Sequence, residues 1–371
     1  MEHPEHIMNY LLLQNMIFDD SINIKKIDIP CLRYIADSII LGFRLRPFSN
    51  ERIIQICSKY CDSDEFREIL IKKSIWNCPA LLRKLFIQNC LPISEIVSGL
   101  KKDPDYISCL FFYKDIPDFL SFVSDFGPSV CPYLSNRTRL DELIEYGFEV
   151  GSIGYVLKFD VVESLHDLLD NIDLTTQKIE WSPFETTMQP FTLFYISFAA
   201  HFGSLKCFRL LLLNNNVQDG YFLAESIHGG CYEIFHYCYS FNNDYIHSFD
   251  CSVEYFRKDI IEWLQQFNDF DNHDCPCMYN LNYLFQNKTI MMKNCHHILD
   301  FYSMQSNYDI VEYIVNSLIQ PQNHPDVSKI INQGLVFASI HGNLKLVSYF
   351  LNLNADPNYT YIASLFFLQS F

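Results

Sequence analysis

Phe337-Ala-Ser-Ile-His-Gly-Asn-Leu-Lys-Leu-Val-Ser-Tyr-Phe-Leu-Asn352 is the stretch of the sequence that decides the fold. Its small pair Ala338-Ser339 would let a first helix approach a neighbouring helix closely, and Gly342 supplies the positive φ that ends that helix. A two-residue turn then leads into a second helix, whose apolar stripe includes Leu346 and Phe350. The stretch therefore predicts two short helices joined by a tight turn.

The same pattern recurs earlier in the chain. It surrounds Gly203 in residues 197–214 and Gly230 in residues 224–237, and its second half alone recurs in residues 257–264 and 307–314. A single unit of this kind cannot bury its own apolar face. The copies are therefore expected to stack on one another.

These residues resemble an ankyrin repeat. The run from Ala338 to Val347, then Phe350-Leu351 and Asn354-Ala-Asp-Pro-Asn358, is similar to the family's A-A-x-x-G-H-x-x-V-V-x-L-L-x-x-G-A-D-x-N. No copy has the family's T-P-L-H opening, and the copies at Gly203 and Gly230 lie 27 residues apart, against about 33 in the usual repeat. These departures predict a degenerate array that lacks a hairpin finger between those two copies.

More narrowly, the chain resembles a large ankyrin-repeat family expanded in some protist parasites, whose members carry a domain of unknown function ahead of the repeats. The resemblance is clearest in residues 155–165, 199–213, 227–230 and 259–264. It implies an all-α fold, in which a right-handed solenoid of stacked helix-turn-helix, ankyrin-like repeats follows an N-terminal α-helical domain. The expected domains are residues 1–150 and the array 151–371, with an irregular insertion near 268–295.

Composition limits the classes of partner and compartment. The chain has 27 Lys and Arg against 44 Asp and Glu, a formal net charge of −17, which opposes binding to the phosphate backbone of nucleic acids. The longest apolar runs, residues 38–43 and 361–368, are far shorter than the ~20 residues that span a bilayer. No basic segment precedes the apolar residues 10–13, and the 14 cysteines fit reduced thiols. We therefore expect no nucleic-acid partner, no transmembrane segment and an intracellular, cytoplasmic location.

Metal binding is the alternative function that the sequence leaves open. His273, Cys275, Cys277 and Cys295 could supply four ligands to a tetrahedral ion. The spacing Cys-Pro-Cys lacks the two to four intervening residues of ordinary zinc sites, and so many Cys and His produce such groups by chance. The favoured interpretation is an insertion between repeats, with no metal and no cofactor.

Enzymatic activity has no support in the sequence. It contains no nucleophile elbow, phosphate loop, dinucleotide fingerprint or His-Glu-x-x-His. His201, His228 and His341 could titrate near neutral pH, but they recur at one position of the repeat, which indicates a structural or surface role. We therefore expect a protein that is not an enzyme.

The resemblance implies a scaffold that binds a protein partner of unknown identity through the concave side of the array. In that family the concave side is made by exposed positions of each first helix and of the loop before it. Carried over to this sequence, those positions are Phe198, His201, Phe202, Glu225, His228, Phe337, Ile340 and His341. A diverged array that no longer binds anything specific is a further possibility. Oligomeric state is left open.

The apolar residues 361–368 follow the last copy of the repeat. We expect a short helix there that folds back onto Leu346, Phe350 and Leu351. An exposed patch that recruits a partner or a second copy of the chain is the alternative.

Overall fold

The computed structural model describes residues 3–169, 178–187, 192–214, 222–241, 244–267, 279–316 and 327–360. Helices form nearly all of the regular structure, which confirms the mostly helical class expected from the sequence. The strands β1 (Lys178–Ile179) and β2 (Leu193–Phe194) pair in antiparallel fashion, with Lys178 opposite Phe194. Two expectations, on residues 361–368 and on the first part of the insertion, residues 268–278, lie outside the described residues.

The helices up to residue 169 are short. They are α1 (Glu5–Phe18), α2 (Leu32–Leu45), α3 (Asn50–Ser58), α4 (Asp64–Asn77), α5 (Pro79–Ile87), α6 (Ile93–Lys102), α7 (Tyr106–Leu110), α8 (Phe119–Phe122), a 3-10 turn at Ser124–Phe126, α9 (Gly127–Leu134), α10 (Arg137–Tyr146), α11 (Ile153–Lys158) and α12 (Val162–Leu169).

The helices after residue 190 come mostly in pairs. They are α13 (Tyr195–His201), α14 (Leu205–Leu213), α15 (Phe222–Gly229), α16 (Tyr232–Phe241), α17 (Tyr245–Glu254), α18 (Lys258–Leu264), α19 (Leu281–Gln286), α20 (Lys288–Lys293), α21 (Cys295–Met304), α22 (Tyr308–Ile314), α23 (Val327–Ile340) and α24 (Leu344–Asn352). The described part of the predicted irregular insertion forms the helices α19 and α20. Their apolar residues Leu281, Leu284 and Ile290 are buried. Among the described residues, none of these helices combines the length and the apolar character needed to cross a bilayer.

A hydrogen-bonded turn with one left-handed residue joins the helices of every pair after residue 190 except α19/α20, where Asn287 has φ −115°. In the first such pair Gly203 has φ +67°, the Gly203 N–H donates to the Ala200 carbonyl at 3.0 Å, and the Ser204 N–H donates to the Ala199 carbonyl at 2.9 Å. This is the Schellman arrangement that ends helices at glycine. The sequence pattern around Gly203 and Gly342 is thus explained by the backbone bonds that the glycine permits.

Two further turns have the same geometry without glycine. Phe256 has φ +55° and Ser306 has φ +58°, and the N–H groups of Arg257 and Asn307 reach back to carbonyls five residues earlier, at 2.8 and 2.9 Å. The pairs α17/α18 and α21/α22 are therefore complete. Only their second halves were recognisable in the sequence because the turn glycine, the clearest local marker, is absent from both.

Replacing Ser306 by glycine is expected to raise the free energy of unfolding by about 0.5 to 1 kcal/mol. A left-handed conformation costs an L residue roughly 1 to 2 kcal/mol, and the extra freedom of glycine in the unfolded chain removes part of the gain. Ser306 is exposed, so no packing is lost. Urea denaturation measures the change, and Ser58→Gly, in the last turn of α3, is a control that should destabilise instead.

The described residues divide into two compact units. In the larger one, which includes Ile35–Asn268, the first helices of successive pairs pack in the order α11, α13, α15, α17, and the second helices α12, α14 and α16 pack on one another in the same order. Gly229 at the end of α15 lies against the backbone of Ala200 in α13. Small residues therefore permit the close approach of these helices, as the sequence indicated.

The smaller unit combines the beginning of the chain with its C-terminal helix pairs. It takes in the described parts of Met1–Gln14, Ile27–Tyr34 and Asp269–Phe371, and in it α21 packs against α23. The Tyr10 hydroxyl donates to Asp309 Oδ2 at 3.1 Å, and burial raises the pKa of Tyr10 far above its usual value. The boundaries of the two compact units do not fall at residue 150. The division into domains 1–150 and 151–371 stays a prediction.

Candidate functional site

Most of the residues expected on a partner-binding face are not accessible. Six of the eight are buried, namely Phe198, His201, Phe202, Glu225, His228 and Phe337. The helix α13 is covered by α11, α14 and α15, and α15 by α13, α16 and α17, so these helices keep no open face at the predicted positions. The expectation that these six side chains are exposed is therefore wrong, because the first helices are enclosed by their neighbours.

The two remaining positions lie at the end of α23. Ile340 is 69% exposed, and His341 Nε2 lies 2.9 Å from Asp300 Oδ1 of α21 at a partly exposed site. His341 thus links two successive first helices at the surface. The equivalent histidines of the larger unit, His201 and His228, are buried and make their contacts in the interior.

His201, Glu225 and His228 form one buried polar cluster. His201 Nδ1 donates to Glu225 Oε2 at 2.5 Å, and the two imidazole rings stack with their centroids 3.9 Å apart and an interplanar angle of 10°. His228 Nδ1 donates to the His201 carbonyl at 3.3 Å, and the Arg257 guanidinium donates to the His228 carbonyl. The cluster connects α13, α15 and the turn after α17, so its hydrogen bonds hold three successive helix pairs in register.

Burial sets the protonation state of His228. Burial, followed by the charges of His201 and Arg257, lowers the pKa of His228 well below the usual histidine value of 6.5. Below pH 6.5 the folded protein therefore binds fewer protons than the unfolded chain. The contribution of His228 to the free energy of unfolding is fully present above that pH and is lost as the pH falls.

Acid should destabilise the wild type more than a His228→Asn variant. The groups that act on this imidazole are His201, Tyr255, Arg257 and Arg46. One proton bound only by the unfolded chain lowers the free energy of unfolding by about 1 kcal/mol between pH 7 and pH 5.5. We expect the wild type to lose that much more than the variant in denaturant titrations, and an equal loss in both proteins would contradict the assignment.

A cavity of about 60 Å³ lies beside a buried ion pair in the larger unit. Lys158 Nζ is 2.5 Å from Glu185 Oε2 and donates to the Tyr146 carbonyl at 2.8 Å. Burial acts to raise the pKa of Glu185, but Lys158 and Thr187 outweigh it and hold the pKa below its usual value.

The charged residues that line the cavity are paired within the protein. Arg83 pairs with Asp115, and Lys84 pairs with Glu145 at 2.7 Å. Asn50 Oδ1 is buried there without a hydrogen-bond partner among the described residues, and the volume suits one or two water molecules. The arrangement stabilises the fold and offers a substrate no uncompensated charge.

The metal-binding alternative falls largely outside the described residues. His273, Cys275 and Cys277 are not among the described residues, whereas Cys295 is buried at the start of α21. Within the described ranges, no three His, Cys, Asp or Glu side chains come together in a way that could hold a metal ion. The proposed four-ligand set therefore stays a prediction.

A continuous row of aromatic side chains runs from the second helix α16 across the second helix α18 to the turn that follows α18. We name it the aromatic strip, and it consists of Tyr232, His236, Trp263 and Phe267. Successive ring centroids are 4.2, 4.6 and 4.8 Å apart. Tyr232 and Phe267, its two ends, are 41% and 55% exposed, and His236 and Trp263 are half-buried.

The interior fixes the central ring of the strip. The Trp263 ring meets Phe235 and Tyr239 of α16 at centroid distances of 5.6 and 5.1 Å, edge to face in both cases. The indole is therefore held in place before any partner arrives. Sequence analysis missed the strip, although Tyr232 and His236 are four residues apart in α16 and so share a helix face.

Comparison of this chain with protein-family models, with curated proteins and with solved structures found no match.

Proposed function

We propose that this protein is a non-enzymatic scaffold, acting in the cytoplasm, that binds a protein partner through a solenoid of degenerate ankyrin-like repeats. The helix pairs with a left-handed turn residue, and the packing of first helix on first helix, support the repeat interpretation. A stack of this kind presents an extended surface that suits binding more than chemistry.

The aromatic strip carries the proposal. Exposed apolar patches on a folded protein mark interaction sites, and tyrosine and tryptophan supply much of the energy at protein interfaces. The strip contains both of these residue types, and its central ring is already ordered. The proposed binding surface therefore moves from the first helices, whose predicted contact residues are mostly buried, to the second helices α16 and α18.

Partner capture from a cell extract should depend on the two exposed ends of the strip. We expect the double variant Tyr232→Ala/Phe267→Ala to retain less than a tenth of the partner that the wild type retains, because exposed aromatic anchors each contribute on the order of 1 to 2 kcal/mol. Quantitative mass spectrometry of the captured proteins measures the difference.

The matched control for this experiment is Trp76→Ala. Trp76 lies in α4 of the same unit, is 54% exposed and is not part of the strip. The control should capture the partner as the wild type does, and both variants should keep the wild-type circular dichroism melt. Equal losses in the two variants would count against the strip as the binding surface.

A further inference from the structure

We propose that the aromatic strip binds an arginine-bearing, positively charged polypeptide segment. This inference rests on the proposed function, because it names the chemistry of the partner that the strip would recognise. Three observations support it: the ring faces, the acidic residues that neighbour strip residues in the sequence, and the charge of the whole chain.

The rings themselves favour a cation. The faces of Trp, Tyr and Phe rings carry negative electrostatic potential, and a guanidinium placed over such a face is attracted by about 0.5 to 2 kcal/mol. Arginine is also planar and weakly hydrated, so it stacks on aromatic faces better than lysine does. A row that spans two helices, with Tyr232 and Phe267 open at its ends, could seat more than one guanidinium along an extended segment.

Each of the two helices that carry the strip also carries an acidic residue next to a strip residue in the sequence. Glu233 follows Tyr232 in α16, and Glu262 precedes Trp263 in α18. Each forms an exposed ion pair, Glu233 with Arg209 and Glu262 with Lys258, the latter at 3.6 Å. Exposed pairs of this kind contribute about 0 to 1 kcal/mol, so an incoming arginine could replace the internal cation at little cost.

The charge of the chain selects among possible occupants. A net charge of −17 attracts a basic segment and speeds its association. A second copy of this chain would bring the same negative charge and be repelled. Nucleic acid and anionic membranes are opposed for the same reason. A cationic polypeptide is therefore the occupant that complements both the strip and its surroundings.

The test uses the full chain and a defined probe. The probe is a fluorescently labelled peptide in which three arginines alternate with glycine and serine, and its matched control replaces each arginine by citrulline, which keeps the shape and removes the charge. Fluorescence anisotropy at low and at physiological salt measures binding to the wild type, to Tyr232→Ala/Phe267→Ala and to Trp76→Ala.

We expect saturable binding of the arginine peptide to the wild type and to Trp76→Ala. Binding should be at least tenfold weaker to Tyr232→Ala/Phe267→Ala, and the citrulline peptide should bind at least tenfold more weakly than the arginine peptide. Equal binding of the two peptides, or an affinity that the double variant does not change, would overturn the proposal. So would self-association of the wild type that the double variant abolishes, because a second copy would then be the occupant.

The outcome is separable from that of the proposed function. If the native partner is lost on Tyr232→Ala/Phe267→Ala while the arginine peptide does not bind, the strip is a docking surface for a partner of different chemistry, and only the present inference fails. If both the peptide and the native partner bind the double variant as they bind the wild type, both proposals fail.

Discussion

Replacing Lys158 by methionine is expected to lower the free energy of unfolding by about 3 to 5 kcal/mol. Glu185 is only 2% exposed, and Lys158 is the cation that offsets the cost of burying its charge. Methionine keeps most of the volume of lysine but leaves the carboxylate buried and unpaired. Equilibrium denaturation in urea measures the loss, and the same variant should melt well below the wild type.

Two further variants isolate the cause of this loss. Lys84→Met breaks the much more exposed pair with Glu145, so it should cost less than about 1 kcal/mol. Adding Glu185→Leu to Lys158→Met should recover much of the stability, because no buried charge then remains. If Lys158→Met and Lys84→Met had equal effects, the ion pair would not carry the role assigned to it.

Gly229→Ala is expected to destabilise the larger unit by about 3 kcal/mol. A Cβ atom at this position would lie 2.0 Å from the Ala200 carbonyl oxygen and 2.8 Å from the Gly203 nitrogen. Both are backbone atoms, so they cannot turn away, and α13 and α15 would have to separate. The higher helix propensity of alanine, about 1 kcal/mol, offsets only part of this cost.

Lys206→Ala provides the comparison for that variant. Lys206 is exposed on α14, beside the same turn, and its loss should stay within about 0.5 kcal/mol. We also expect Gly229→Ala to weaken the protection from hydrogen exchange of the amides of α13 and α15. A Gly229→Ala protein as stable as Lys206→Ala would show that the close approach of these helices is not a determinant of stability.

The sequence predicts those features of the fold that depend on local signals. Helical spacing gave the mostly helical class, and the turn at Gly203 could be recognised because glycine is the residue that tolerates its positive φ. Phe256 and Ser306 occupy the same turn position without being glycine. The first helices before them, α17 and α21, therefore had no recognisable marker.

Features that depend on contacts distant in sequence could not be predicted. The bond between Tyr10 and Asp309 joins residues 299 positions apart, and no local pattern indicates it. His201 and Glu225 were expected at the surface because the family resemblance assigns them to exposed positions, yet both are buried, where His201 Nδ1 donates to the Glu225 carboxylate. The aromatic strip arises only when α16 and α18 lie side by side, so neither helix shows it alone.

Site-specific photo-crosslinking tests the central claim most directly. Benzoylphenylalanine would be placed at Phe267 in one protein, at Tyr232 in a second and at Trp76 in a third, each expressed in cells and irradiated. A scaffold that binds through the aromatic strip predicts the same crosslinked partner from positions 267 and 232, and no such adduct from position 76. An adduct from position 76 alone, or the same adduct in equal yield from the three positions, would contradict it.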